Sequence, residues 1–243
     1  MWTMTYTLTL DEPLMISGEV SMPGIYDRVT VLDHGLPYVP ATTLSHTIKA
    51  TLRAFLAENQ ESWEAFRICR GQNADSTTPG GEAFCPQKGP HCPLCRIFGS
   101  PGGLRRGFEF TGAYHSKDDV DVMTMAFGED GLTEASLVRR ARNHYDGALR
   151  RSREDHLFFD GAADLLADLS GEVWEEGGHK ARPEPSRRFD YRLVLLGLRL
   201  TQELGGSRNR GYGACDFRLD GASAGEIQAL CDEWAVHSRG AQQ

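Results

Sequence analysis

The apolar positions of this chain change period along its length, and the changes mark its elements. Residues 3–10 alternate strictly, with Met4, Tyr6, Leu8 and Leu10 on one side and four threonines on the other, which predicts a half-buried strand. Residues 11–40 are rich in Gly, Pro and Asp and read as a long loop with a short strand near 28–32. Loops of that length inside a compact domain are usually functional or mobile. A helix then starts at Thr42 or Thr43, both with N-cap chemistry. It sets Leu44, Ile48, Leu52, Phe55 and Leu56 on one stripe and His46, Lys49 and Arg53 on the other face.

Alternation returns at Phe108, Phe110, Gly112 and Tyr114, a second strand, before a polar and irregular stretch from 115 to 156. Residues 157–173 fit two periods: Ala163, Leu165, Ala167, Leu169 and Val173 alternate with acids, yet the composition favours helix. Helical spacing of Phe189, Leu193, Leu196 and Leu200 predicts a helix over 188–204 that stops at Gly205. A strand over 214–219 and an amphipathic helix from about 224 to 237 complete the chain.

Composition adds bounds to this order. The 243 residues carry a net charge of -8 and are 40% hydrophobic, enough for one large core. No apolar run approaches the length of a membrane span and the N-terminus lacks signal-peptide order, so a cytoplasmic protein is expected, with no membrane partner. The acidic balance weighs against a polyanionic partner, but the arginines cluster at 105–106, 139–153, 187–188 and 208–210, leaving room for a local basic face.

Three stretches carry chemistry. Cys69, Cys85, Cys92 and Cys95 lie in a short polar segment, and the Cys92-Pro93-Leu94-Cys95 spacing suits two thiolates on one tetrahedral ion, so a structural zinc is expected. His91 is the alternative to Cys69, while Cys215 and Cys231 fall on apolar stripes. The run Gly205-Gly206-Ser207-Arg208-Asn209-Arg210-Gly211-Tyr212-Gly213 combines close backbone approach, cations and a stacking ring, and reads equally as a phosphate loop or as a helix stop followed by a turn. Asp27 sits in the long loop, where an aspartate either forms a turn or faces a ligand.

The glycine run, the block Pro37-Tyr38-Val39-Pro40-Ala41-Thr42-Thr43-Leu44-Ser45-His46, and Cys92-x-x-Cys95 leading into Ile97-Phe98-Gly99-Ser100 together resemble the RAMP superfamily, in particular the backbone subunits of type III CRISPR effector complexes of the Csm and Cmr kind. Ser45-His46 stands where that family has Lys-Gly. The resemblance favours strand over 157–173 and so implies an α+β, ferredoxin-like (RRM-like) βαββαβ core. It implies one RAMP domain over 1–243, with a zinc-knuckle insertion at about 66–100, a thumb-like insertion at about 115–156 and a C-terminal helix.

It also implies roles. Asp27 would cleave target RNA with Mg or Mn. Thr42, Thr43, His46, Lys49 and Arg53, then Arg139, Arg140 and Arg142, then Ser207, Arg208, Asn209, Arg210 and Tyr212 would contact RNA. The partners implied are a guide CRISPR RNA, a target RNA, further copies of the chain and other effector subunits. Two alternatives remain at this point: a non-catalytic guide-binding scaffold, and a metal-independent guide-processing endoribonuclease using His34 or His46.

Overall fold

The computed structural model describes residues 2–16, 25–69, 85, 91–100, 104–146, 151–164, 167–177, 182–206 and 211–240, with backbone alone at 142–146, 151–157 and 239–240. In chain order the first half contains β1 (Thr3–Leu10), β2 (Arg28–Val29), β3 (Leu32–Asp33), β4 (Leu36–Pro37), α1 (Ala41–Asn59), α2 (Pro93–Phe98), β5 (Phe108–Phe110) and β6 (Tyr114–His115). The second contains α3 (Lys117–Phe127), α4 (Leu132–Ala135), β7 (Leu137–Asp146), β8 (Arg151–Ala163), β9 (Leu169–Glu175), α5 (Glu184–Leu200), β10 (Cys215–Leu219) and α6 (Gly221–Gly240).

The fold is α+β, built on an antiparallel sheet in the order β10-β1-β9-β5, with β6 also pairing β9. The period of two in β1 decides its orientation: Met4, Tyr6 and Leu8 are buried while Thr3 and Thr5 are exposed. The buried side joins Leu44, Ile48, Leu52 and Leu56 of α1, Leu193 to Leu196 of α5, and Phe108, Val173 and Phe217 of the neighbouring strands in one core. Each fully buried side chain of this size contributes roughly 1.5–3 kcal/mol, so the α1 stripe alone anchors the helix. An aromatic cluster of Phe55, Trp63, Phe66, Phe189 and Trp234 extends that core beneath α6.

Buried ion pairs fix the helices laterally. Arg96 on α2 grips the fully buried Asp190 of α5 at 2.6 Å, and Arg187 grips the equally buried Glu175 of β9 at 2.6 Å. Arg188 and Arg192 of α5 pair with Glu226 of α6 at 2.6 and 2.7 Å. The arginines at 187–188 are therefore structural ties between elements.

Several boundaries differ from the sequence expectation. Helix α1 begins at Ala41 with Pro40 as N-cap and no side-chain cap, because Pro40 already holds an extended conformation (φ -60, ψ 143) at the junction, so Thr42 and Thr43 fall inside the first turn. The second strand breaks into β5 and β6 around residues 111–113. The polar stretch after it holds α3, capped by Ser116, whose hydroxyl accepts from the Asp119 amide at 3.2 Å. Helix α5 runs four residues earlier than expected at both ends, from Glu184 to Leu200, and its C-cap is Thr201, so Gly205 is no helix stop. Residues 157–173 divide between the end of β8 and the start of β9.

Candidate nucleic-acid interface

The long β7–β8 hairpin lies outside the main sheet and pairs with β2 in parallel, with Arg28 opposite Asp160 and Val29 opposite Gly161. This pairing carries Asp27 to the base of the hairpin. The Asp27 amide donates to the Phe159 carbonyl at 2.8 Å, and the Phe159 amide donates to Asp27 Oδ2 at 2.6 Å. Arg28 closes a two-pronged pair with the buried Asp160, Nε to Oδ1 at 3.1 Å and Nη2 to Oδ2 at 2.8 Å. Asp27 itself is exposed.

Strand alternation separates the neighbouring arginines Arg139 and Arg140, both exposed. The Arg139 guanidinium lies 3.8 Å from the centre of the Phe159 ring, while Arg140 sits 5.7 Å from the ring of Tyr212. Arg142 is in β7 opposite Phe158. Cations thus flank the hairpin base on both sides, one beside Asp27's partner Phe159 and the other beside the end of the glycine run.

That glycine run is tied down at both described ends. The Gly206 amide donates to the Met15 carbonyl and the Gly213 amide to the Pro13 carbonyl. Gly213 has φ +77, and a Cβ there would lie 1.9 Å from the Leu204 carbonyl oxygen, so no other residue fits. Tyr212 is buried with Met15 and Ala162, which locks the exit of the loop onto the hairpin, so its ring packs inside the fold and is not the exposed stacking face expected from the sequence. Ser207, Arg208, Asn209 and Arg210 lie outside the described residues.

A second polar and aromatic groove of about 280 Å³ lies along α1, lined by Thr42, Ser45, His46 and Lys49 with Phe98, Arg106, Phe108 and Phe110. Lys49 Nζ stands 6.0 Å above the Phe98 ring, which stacks on Phe110 at 6.0 Å. Arg53 turns elsewhere and donates to the Cys69 carbonyl at 3.3 Å. His34 lines a different cleft from His46, so the two histidines do not share a site.

The open face of the main sheet carries Glu109, Glu172 and Asp216 together with Trp174 and Arg218, and Asp216 and Glu109 are paired with Arg199 and Arg106. Among the described residues, exposed cations border the hairpin base and the α1 groove.

The four cysteines converge. Cys69, Cys85, Cys92 and Cys95 place their sulfurs within 4.8 Å of one another, with Cys69 to Cys95 at 3.6 Å and Cys92 to Cys69 at 3.7 Å. Tetrahedral zinc with bonds of about 2.3 Å sets its sulfurs about 3.8 Å apart, so the group fits that ion and is far too open for a disulfide. Cys69, rather than His91, completes the group of four. Hydrogen bonding from Cys95 pulls the Cys92 thiol down to about 4, whereas burial pushes Cys85 up to about 11 and the hydrogen bond with Cys92 pushes Cys95 upward. One thiolate holding its neighbours protonated is the conflict that a divalent cation resolves. Helix α2 places Cys95 toward this group and Leu94 and Ile97 in the main core.

A second metal at Asp27 has no comparable support. Among the described residues the cysteines form the one cluster of three or more metal-ligating side chains, and Asp27 belongs to none. One of its oxygens already accepts from a backbone amide. The residues that sequence reasoning passed over here are Arg28, Phe159 and Asp160. Arg28 and Asp160 are 132 positions apart, and no local signal joins them.

No family model and no curated protein matches the chain. Solved structures do match it in fold. A chain of the apo type III-B Cmr-beta complex, solved by cryo-EM, superposes with a TM-score of 0.57 at 11% identity, over 91% of this chain and 98% of that one. A chain of the type III-B Cmr-beta complex bound to cognate target RNA superposes with a TM-score of 0.55 at 10% identity, over 90% and 97%. No helix among the described residues is long and apolar enough to cross a membrane.

Proposed function

We propose that this protein is a guide-RNA-binding backbone subunit of a type III CRISPR effector complex, a RAMP protein with a ferredoxin-like core, a zinc knuckle and a thumb-like hairpin. The main support is the meeting of exposed Asp27, Arg139 and Arg140, from separate stretches of sequence, at the base of one hairpin, where Phe159 receives both Asp27 and Arg139. The strand order β10-β1-β9-β5 is that of a ferredoxin-like sheet, and the likeness in fold to Cmr-beta chains covers most of the molecule. RNA would run past the hairpin base and the α1 groove, its phosphates met by Arg139, Arg140, His46 and Lys49 together with the first-turn amides of α1. The glycine run 205–213, whose central Ser207, Arg208, Asn209 and Arg210 would add donors, belongs to the same path. Copies would assemble along the guide with other effector subunits.

Within that role Asp27 has two readings. As the residue that cleaves target RNA with Mg or Mn, it would take the ion jointly with RNA phosphates, since among the described residues it belongs to no group of three or more metal-ligating side chains. As a structural residue in a scaffold subunit, it pins the loop to β8 through Phe159, which its 2.6 Å hydrogen bond favours. Assembly with a guide RNA, followed by a complementary target and Mg, separates the two. For the nuclease, wild type cuts at regular spacing and Asp27→Ala binds without cutting. Equal cutting by both proteins, or none by either with binding intact, makes Asp27 structural.

A further inference from the structure

Residues 38–39 and 113–114 form a built aromatic platform. Val39 and Ala113 exchange both backbone hydrogen bonds, at 3.0 and 2.9 Å, which sets Tyr38 and Tyr114 side by side. Their rings stack at 5.2 Å with 6° between planes. Gly112 permits this, since a Cβ there would fall 2.8 Å from the Tyr114 ring and 2.9 Å from the Val39 carbonyl. Tyr114 is 42% exposed, so part of its ring faces outward from the stack.

The platform borders a cleft of about 260 Å³ whose walls include Leu36 and Val120, with Asp33, His34 and His115 as polar groups. The β3–β4 turn on its rim is fixed from outside, as Thr133 donates from Oγ1 to the Gly35 carbonyl at 3.2 Å. His115 lines the cleft, with its Nδ1 buried and without a hydrogen-bond partner among the described residues. Burial also lowers the basicity of this imidazole against the opposing pull of Asp119, so it serves as a neutral polar group. A cleft somewhat below the roughly 300–1,000 Å³ that holds a drug-sized ligand suits a single planar ring system.

We infer that the Tyr38–Tyr114 cleft receives one unpaired nucleobase of the bound RNA strand, stacked on Tyr114 with its polar edge toward Asp33 and His115. This rests on the RNA-binding role proposed above. A stacked base tolerates any sequence because every base has a flat face, so the cleft would give affinity and register rather than sequence choice.

The test uses the full chain and single-stranded RNAs that each carry one 2-aminopurine, titrated with wild type, Tyr114→Ala and Tyr114→Phe. The expected result is quenching at a defined position with wild type and Tyr114→Phe. With Tyr114→Ala that quenching is lost and binding weakens by about 5- to 150-fold, the range for one base on an aromatic ring. Ultraviolet crosslinking of wild type followed by mass spectrometry is expected to place a crosslink on the peptide carrying Tyr114, a readout independent of how the variants fold. The same quenching and affinity in all three proteins, or crosslinks that omit that peptide, overturn the cleft and leave the RNA-binding role standing. RNA that wild type does not bind overturns both.

Discussion

Glu226 shows how single residues decide which arginines are available to a ligand. Hydrogen bonds from Arg188 and then Arg192 hold its carboxyl down to about 2, against an ordinary 4.5. Folding therefore favours the ionised form. That stabilisation is complete above the unfolded carboxyl range, shrinks as pH falls below about 4–5, and is gone once pH passes through about 2. Glu226→Gln should flatten the decline in stability between about pH 5 and pH 2, read from urea midpoints across that window. A decline as steep as that of wild type would mean the α5–α6 ion pairs carry no acid sensitivity. At Asp27 the 2.6 Å hydrogen bond from the Phe159 amide favours the structural reading, which the cleavage comparison with Asp27→Ala tests.

At the scale of elements, the strands and helices with clean periodicity were legible in the sequence. Thr3–Leu10 alternates because one face is core and the other is solvent, and the stripe Leu44, Ile48, Leu52, Leu56 is the buried side of α1. Helix α3 was not, although Ser116 and Asp119 form an N-terminal cap, because Val122, Met125 and Phe127 are exposed and blur the apolar period. Gly205 read as a helix stop, whereas its φ of +76 serves a turn that crosses Met15, a partner distant in sequence. The cysteine group was legible through spacing alone, and it predicts a metal-dependent element. Purified protein should contain about one zinc per chain, and Cys92→Ser or a strong chelator should lower both zinc content and melting temperature. A zinc-free protein whose melting is unaffected by chelator would show that the thiols cluster without metal.

For the whole molecule, an acidic chain presents its cations at chosen places. The arginines at 187 and 188 are spent on carboxylates inside the fold, while Arg139 and Arg140 stand exposed at the hairpin base on aromatic rings, and Lys49 borders the α1 groove. Nothing in the linear charge pattern distinguished these groups; burial and pairing did. An RNA strand would then follow the exposed cations of the hairpin base and the α1 groove. The most direct test of that account is the salt dependence of single-stranded guide RNA binding, measured by fluorescence anisotropy for wild type and for the double variant Arg139→Ala/Arg140→Ala. Loss of two phosphate contacts should weaken binding and reduce the slope of log affinity against log salt by about 1.4, at about 0.7 per contact. Equal affinities and equal slopes for the two proteins would contradict RNA binding at the hairpin base.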